Sequence, residues 1–261
     1  MSNLRRTTTI FGFLLLTTLF DAPPSAARPL ATIKSEGVLK VGMTGDYAPF
    51  SLTGPDGRIS GADVTMAQEL ARELNVSLVM VPTTWKSVQR DLQENRFDIA
   101  MGGVSVTPDR AAIGYFSIPV RRDGKRPIVR CADKGRYISI KSIDRPDVRV
   151  VVNAGGTNER FAKANFTHAR LEVYPDNRTI FDAIATGRAD VMVTDGTEVD
   201  YQARRHPDIL CSAHVTDSFD HFDKAYWMTR DVALKEAVDT WLERSLRAGH
   251  YERALLNASV Q

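Results

Sequence analysis

Val38-Leu39-Lys40-Val41-Gly42-Met43 is a short apolar run that stops at Thr44-Gly45-Asp46-Tyr47-Ala48-Pro49-Phe50, where Gly45 and Pro49 punctuate the chain. It reads as a strand feeding a loop. Residues 63–74 then place Val64, Ala67, Leu70, Ala71 and Leu74 at three- and four-residue spacing, one face of a helix, and residues 78–81 follow as a second strand. This β-α-β unit decides the fold class, because strands that alternate with helices build parallel sheet covered by helices. The alternation continues with a helix over 85–93 and strands over 97–101 and 127–130. A second series opens with a strand at 148–152, then helices at 161–165 and 179–186, a strand at 189–194 and a helix at 198–204. A last helical stretch covers 231–246. Two parallel sheets, and therefore an α/β protein, are expected.

In the second series Val150-Val151-Val152 runs into Asn153-Ala154-Gly155-Gly156-Thr157-Asn158-Glu159. A glycine-rich turn at a helix start offers an anion unpaired backbone N–H groups and the positive end of the helix dipole, and the Thr157 hydroxyl adds a donor. The same residues fit a plain N-cap at Thr157 equally well, with glycines that only permit a tight turn. Gly155-Gly156 lacks the third spaced glycine of a dinucleotide site, and the chain has neither a P-loop nor a Gly-x-Ser-x-Gly elbow. His168, His206, His214, His221 and His250 stand at no metal-ligand spacing and read as surface or capping residues. No metal site is expected.

The chain has 261 residues, 43% hydrophobic and 25% charged, the balance of an ordinary globular protein. Its 34 basic and 32 acidic residues leave a formal charge of +2 with no basic stripe, which argues against a nucleic-acid partner. Residues 1–27 set Arg5 and Arg6 before an apolar stretch at 10–20, then Pro23, Pro24 and Ser25-Ala26-Ala27. That is the layout of a secretory signal peptide cleaved after Ala27, too short in its apolar part for the ~20 residues of a membrane span. No stable membrane insertion is expected. In an oxidising compartment Cys131 and Cys211, the chain's two cysteines, are expected to pair, two free buried thiols being the alternative.

Several motifs in order carry a resemblance: Gly45-Asp46-Tyr47-Ala48-Pro49-Phe50, Arg96-Phe97-Asp98-Ile99-Ala100-Met101, and Thr107-Pro108-Asp109-Arg110 followed by Tyr115-Phe116-Ser117. Together they resemble the family 3 extracellular solute-binding proteins. The resemblance implies a periplasmic, type II two-lobed fold with a ligand cleft between the lobes, residues 28–128 plus 221–261 forming lobe 1 and 129–220 lobe 2. It also implies that Arg110 clamps a carboxylate, which suits a guanidinium's bidentate geometry. Thr107, Gly156 and Thr157 join it in the binding set, and Tyr47 and Trp85 form cleft walls.

Within lobe 2, the segment from Asn153 to Glu159, Pro175-Asp176-Asn177, Thr194-Asp195-Gly196-Thr197-Glu198 and Lys224-Ala225-Tyr226 look like those of the periplasmic cyclohexadienyl dehydratases, an enzyme branch of this fold. Both cysteine positions match as well. The resemblance makes Glu198 a catalytic general acid and prephenate and L-arogenate the substrates, with no cofactor. Ala154, Gly196-Thr197 and Trp227-Met228-Thr229 depart from that pattern. Asp195 stands where binding proteins hold an amino group, and Lys224 is placed to meet the ring carboxylate. Each has a plain reading too: Asp195 as a helix N-cap, Glu198 as an acidic residue in a first helical turn. The rival function is an amino-acid receptor serving an ABC transporter, in which nothing would require an acid at Glu198.

Overall fold

The structure, a computed structural model, describes residues 27–260. The signal peptide read at 1–27 therefore lies outside the described residues, apart from Ala27. Two five-stranded sheets organise the rest. In the first the order is Ser77–Pro82, Val38–Met43, Ile99–Ala100, Trp227–Met228, Tyr115–Phe116. In the second it is Arg170–Tyr174, Arg149–Asn153, Val191–Asp195, Lys125–Arg130, Leu210–Ser212. The β-α-β unit is present, Val38 lying opposite Ser77 and Val41 opposite Ile99 in parallel register.

Neither sheet is wholly parallel, as the alternation had suggested. Trp227–Met228 runs antiparallel to both of its neighbours, and so does Lys125–Arg130. Helical crossovers impose parallel pairing only on the strands they connect. These two strands enter their sheets from extended segments next to a two-stranded antiparallel ribbon, Arg121–Asp123 with Phe222–Lys224. The chain crosses along one side of the ribbon and returns along the other. Residues 125–128 thus already run in the second sheet.

An inner strand of the second sheet, Arg149–Asn153, is covered on both faces, which is why it reads as a continuous apolar run. Val150 and Val152 pack with Tyr137, Ile143 and Phe166, while Val151 between them packs on the opposite face with Ile180, Phe181 and Ile184. In the first lobe Leu39 and Val41 meet Met66 and Leu70 of helix Ala62–Glu73, and Leu234, Val238 and Leu242 of helix Val232–Arg247. A further helix, His250–Val260, packs against Ala62–Glu73; the sequence reading had ended before it. No helix among the described residues is long and apolar enough to cross a membrane.

Cys131 and Cys211 are disulfide-bonded, with Cα atoms 4.8 Å apart, at the outer antiparallel pair of the second sheet. The bond closes a sequence separation of 80 residues. By loop entropy such a closure is worth about 4 kcal/mol, engineered and native examples falling mostly at 2–4. Reduction is therefore expected to lower the unfolding free energy by that amount, read from denaturant midpoints with and without reductant.

Candidate functional site

The helices that carry the site begin at strand ends of the second sheet and face the first. Helix Thr157–Asn165 follows strand Arg149–Asn153 through Gly155 and Gly156. Gly155 has φ +83, and a Cβ there would lie 2.6 Å from the Lys86 Cα of the other lobe. Only glycine allows this approach. The helix starts at Thr157 itself, four residues before the 161 read from the sequence. The Thr157 hydroxyl does not cap it; it accepts a bond from the Lys125 ammonium at 3.0 Å.

Between the lobes is a narrow cavity of about 10 Å³, room for about one water in this closed arrangement. Tyr47, Trp85, Gly103, Ser105 and Arg110 line it from the first lobe, and Asn153, Gly156, Thr157, Asn158 and Asp195 from the second. Arg110 sits in a one-turn helix, Pro108–Ala111, whose N-cap Thr107 accepts from the Arg110 backbone N–H. The residue is 4% exposed, and its guanidinium lies 5.9 Å from the Trp85 ring and 5.8 Å from Trp227 and donates to the Ser105 carbonyl at 2.8 Å. Among the described residues no carboxylate forms an ion pair with it. Burial, with the neighbouring Arg160, pushes its pKa down to about 10, so it stays charged at neutral pH. A buried cation without a partner is costly, and a ligand carboxylate would relieve that cost.

Asp195 is the hub of the cavity floor. It accepts from the Lys125 ammonium on Oδ1, and from Lys224 at 2.6 Å and the Tyr47 hydroxyl on Oδ2. Burial would raise its pKa, but the charges and hydrogen bonds of Lys125 and Lys224 outweigh that and hold the carboxyl well below the usual range. Tyr47 reaches it from across the cleft, so this cluster ties the lobes together. The Lys125 ammonium also donates to Asn158, whose own amide donates to Asn153 and Thr194 at 2.9 Å each.

Glu198, third residue of helix Gly196–Arg205, is fully buried. Its Oε2 accepts from the Thr194 hydroxyl and its Oε1 from the Asn177 amide, both at 2.6 Å, and that amide also donates to the Asp46 carbonyl at 3.1 Å. Burial pushes Glu198 up to about 8; the Thr194 and Asn177 bonds oppose the rise, and the charges of Asp195 and Asp46 add to it. At neutral pH this side chain is a carboxylic acid holding a proton.

Of the residues anticipated from sequence, Arg110, Thr157, Asp195, Tyr47, Trp85 and Gly156 share the cavity wall. Glu198, Thr107 and Lys224 do not. Glu198 lies two hydrogen bonds behind the wall, through Thr194 to Asn158. Thr107 caps the turn that carries Arg110. Lys224 is wholly buried behind Asp195, which answers its charge, so it leaves the Glu198 acid undisturbed. Lys125, Asn158, Thr194, Asn177 and Asp46 were not anticipated as site residues. Asp46, Asn158, Asn177 and Thr194 stood inside the quoted motifs. Lys125 gave no signal beyond a charge at the edge of an apolar strand. The described residues contain no cluster of three or more His, Cys, Asp or Glu able to hold a metal.

Over 220 residues, 84% of this chain and 82% of the relative, the sequence is 48% identical to a cyclohexadienyl dehydratase of Pseudomonas aeruginosa. Among solved structures it is similar to an ancestral amino acid-binding protein described as a precursor of cyclohexadienyl dehydratase. The TM-score is 0.79 at 31% identity, over 87% of this chain and 97% of that one. An ancestral cyclohexadienyl dehydratase matches with a TM-score of 0.56 at 44% identity, over 91% and 98%. The model of the bacterial extracellular solute-binding proteins, family 3, matches residues 39–256, and the chain belongs to that family.

Proposed function

We propose that this chain is a periplasmic cyclohexadienyl dehydratase, a carbon–oxygen lyase that converts prephenate to phenylpyruvate or L-arogenate to L-phenylalanine. The observation that carries the reading is Glu198: a buried, protonated carboxylic acid two hydrogen bonds behind a cavity whose Arg110 has no carboxylate partner among the described residues. A receptor that only holds an amino acid gains nothing from such an acid, and burying it is a cost. Similarity to the Pseudomonas aeruginosa enzyme supports the same reading.

The substrates carry a ring carboxylate and a ring hydroxyl. The C–C bond to the ring carboxylate breaks and releases carbon dioxide, its electron pair enters the ring, and the C–O bond to the hydroxyl breaks. Aromatisation drives the step. The hydroxyl would leave as hydroxide unless protonated; Glu198 gives it a proton, water departs, and the Glu198 carboxylate regains a proton from solvent. This demands a positioned acid and an anchored substrate, and no electron sink beyond the ring itself. Arg110 and Thr157 hold the side-chain carboxylate, Gly156 brings the helix start close, and Tyr47 and Trp85 enclose the ring. Thr107 acts through Arg110.

Mixing the mature protein with prephenate and following phenylpyruvate absorbance tests the proposal. Turnover well above the spontaneous background is expected. Background rates together with tight binding of an ordinary amino acid would establish the receptor reading instead. Arg110→Ala is expected to raise KM by roughly 30- to 150-fold, since a charge-assisted contact of about 2–3 kcal/mol is lost. Circular dichroism and melting should stay near wild type, because the guanidinium has no ion pair among the described residues to lose; an unchanged KM removes Arg110 from the site.

A further inference from the structure

A ligand ammonium in a closed cavity needs acceptors, and the acceptors of this wall are already engaged. Both Asp195 oxygens face lysines, the Ser105 carbonyl takes Arg110, and the Gly103 carbonyl takes Lys224 at 2.8 Å. The Asn158 and Thr157 side-chain oxygens take Lys125. The donors have room: among the described residues Arg110 commits only Nη1 to a hydrogen bond, and the first backbone N–H groups of helix Thr157–Asn165 have no acceptor within the helix. Among the charges that line the cavity or touch Asp195, Arg110, Lys125 and Lys224 against Asp195 leave an excess of two positive charges, Asp63 and Asp220 acting on the lysines from behind. Two substrate carboxylates balance that excess; an added ammonium would be placed against lysine charges.

We infer that the cavity selects the keto acid over the amino acid, prephenate over L-arogenate, and that Lys125, by occupying Asp195 Oδ1, sets the preference. The inference rests on the dehydratase reading for its substrates, while the recognition of a carbonyl against an ammonium can be measured apart from turnover. Lys125 is a specificity-determining residue here. In its absence Asp195 would have one oxygen free to receive an ammonium.

The test has a kinetic arm and a binding arm, both on the mature chain. In the first, kcat/KM is measured for prephenate and L-arogenate at neutral pH; prephenate is expected to lead by at least about tenfold. In the second, calorimetric titrations compare phenylpyruvate with L-phenylalanine, which differ only in carbonyl against ammonium, and the keto acid is expected to bind more tightly. Lys125→Met should shift both ratios toward the amino acid by about tenfold or more, even if both absolute values fall. Lys125→Arg, which keeps a cation on Asp195, should preserve the wild-type ratios. Equal or greater affinity of the wild type for L-phenylalanine overturns the inference, as does an unmoved ratio in a folded Lys125→Met. Absent turnover with a retained keto-acid preference would instead refute the dehydratase reading and leave the inference standing.

Discussion

Glu198→Gln is expected to lose at least about a hundredfold of turnover while still binding prephenate, because a general acid is typically worth 10² to 10⁴-fold. The substitution keeps the size of the side chain and removes its transferable proton. It is compatible with the local bonds: the amide oxygen can accept from Asn177, and the Thr194 hydroxyl can turn to accept from the new amide N–H. Turnover above about a tenth of wild type corresponds to under ~1.4 kcal/mol and removes Glu198 from the proton transfer.

The same variant reports on stability. The Glu198 pKa rises from 4.5 to about 8 on folding, so between those values the folded chain keeps a proton that the unfolded chain releases. Unfolding is then favoured progressively as pH rises through that window, and the cost is constant above it. Glu198→Gln abolishes this dependence. Its melting temperature should gain on wild type from about pH 5 to pH 8; a gap independent of pH would mean that Glu198 titrates normally.

Asp195→Ala is expected to cost about 3–5 kcal/mol of unfolding free energy, the largest stability loss of any single change in the cavity. It leaves two fully buried ammonium groups, Lys125 and Lys224, facing each other without their carboxylate, and it orphans the Tyr47 hydroxyl. A buried cation that loses its partner costs far more than the pair contributed. Combining Asp195→Ala with Lys125→Met should recover part of the loss, since one unpaired charge is removed as well. Chemical denaturation of the three variants measures this. A loss under about 1 kcal/mol in Asp195→Ala would show that water reaches these lysines and that the cavity floor is not closed.

The legible parts of this protein are those in which one residue type has one physical use. The three- and four-residue spacing of Val64, Ala67 and Leu70 has only a helical explanation, and the strand and loop before it gave the β-α-β unit. Arg110 beside Thr107 and Pro108, and Glu198 in its helix, became candidates through family resemblance rather than through spacing. Alternation could not reveal that Lys125–Arg130 pairs antiparallel, because that depends on where the chain enters the second sheet. The Lys125–Asp195–Lys224 cluster joins residues 29 and 70 positions apart and carries no local pattern. Asp195 was expected to be open to a ligand amine; its saturation by two lysines exists only in three dimensions.

The central claim is that Glu198 enters the reaction as a neutral acid, and the pH dependence of kcat/KM for prephenate tests it most directly. A plateau below about pH 8 is expected, falling with unit slope above it, with this limb missing from the residual rate of Glu198→Gln. A wild-type profile flat through pH 10, or rising across pH 8, would contradict it.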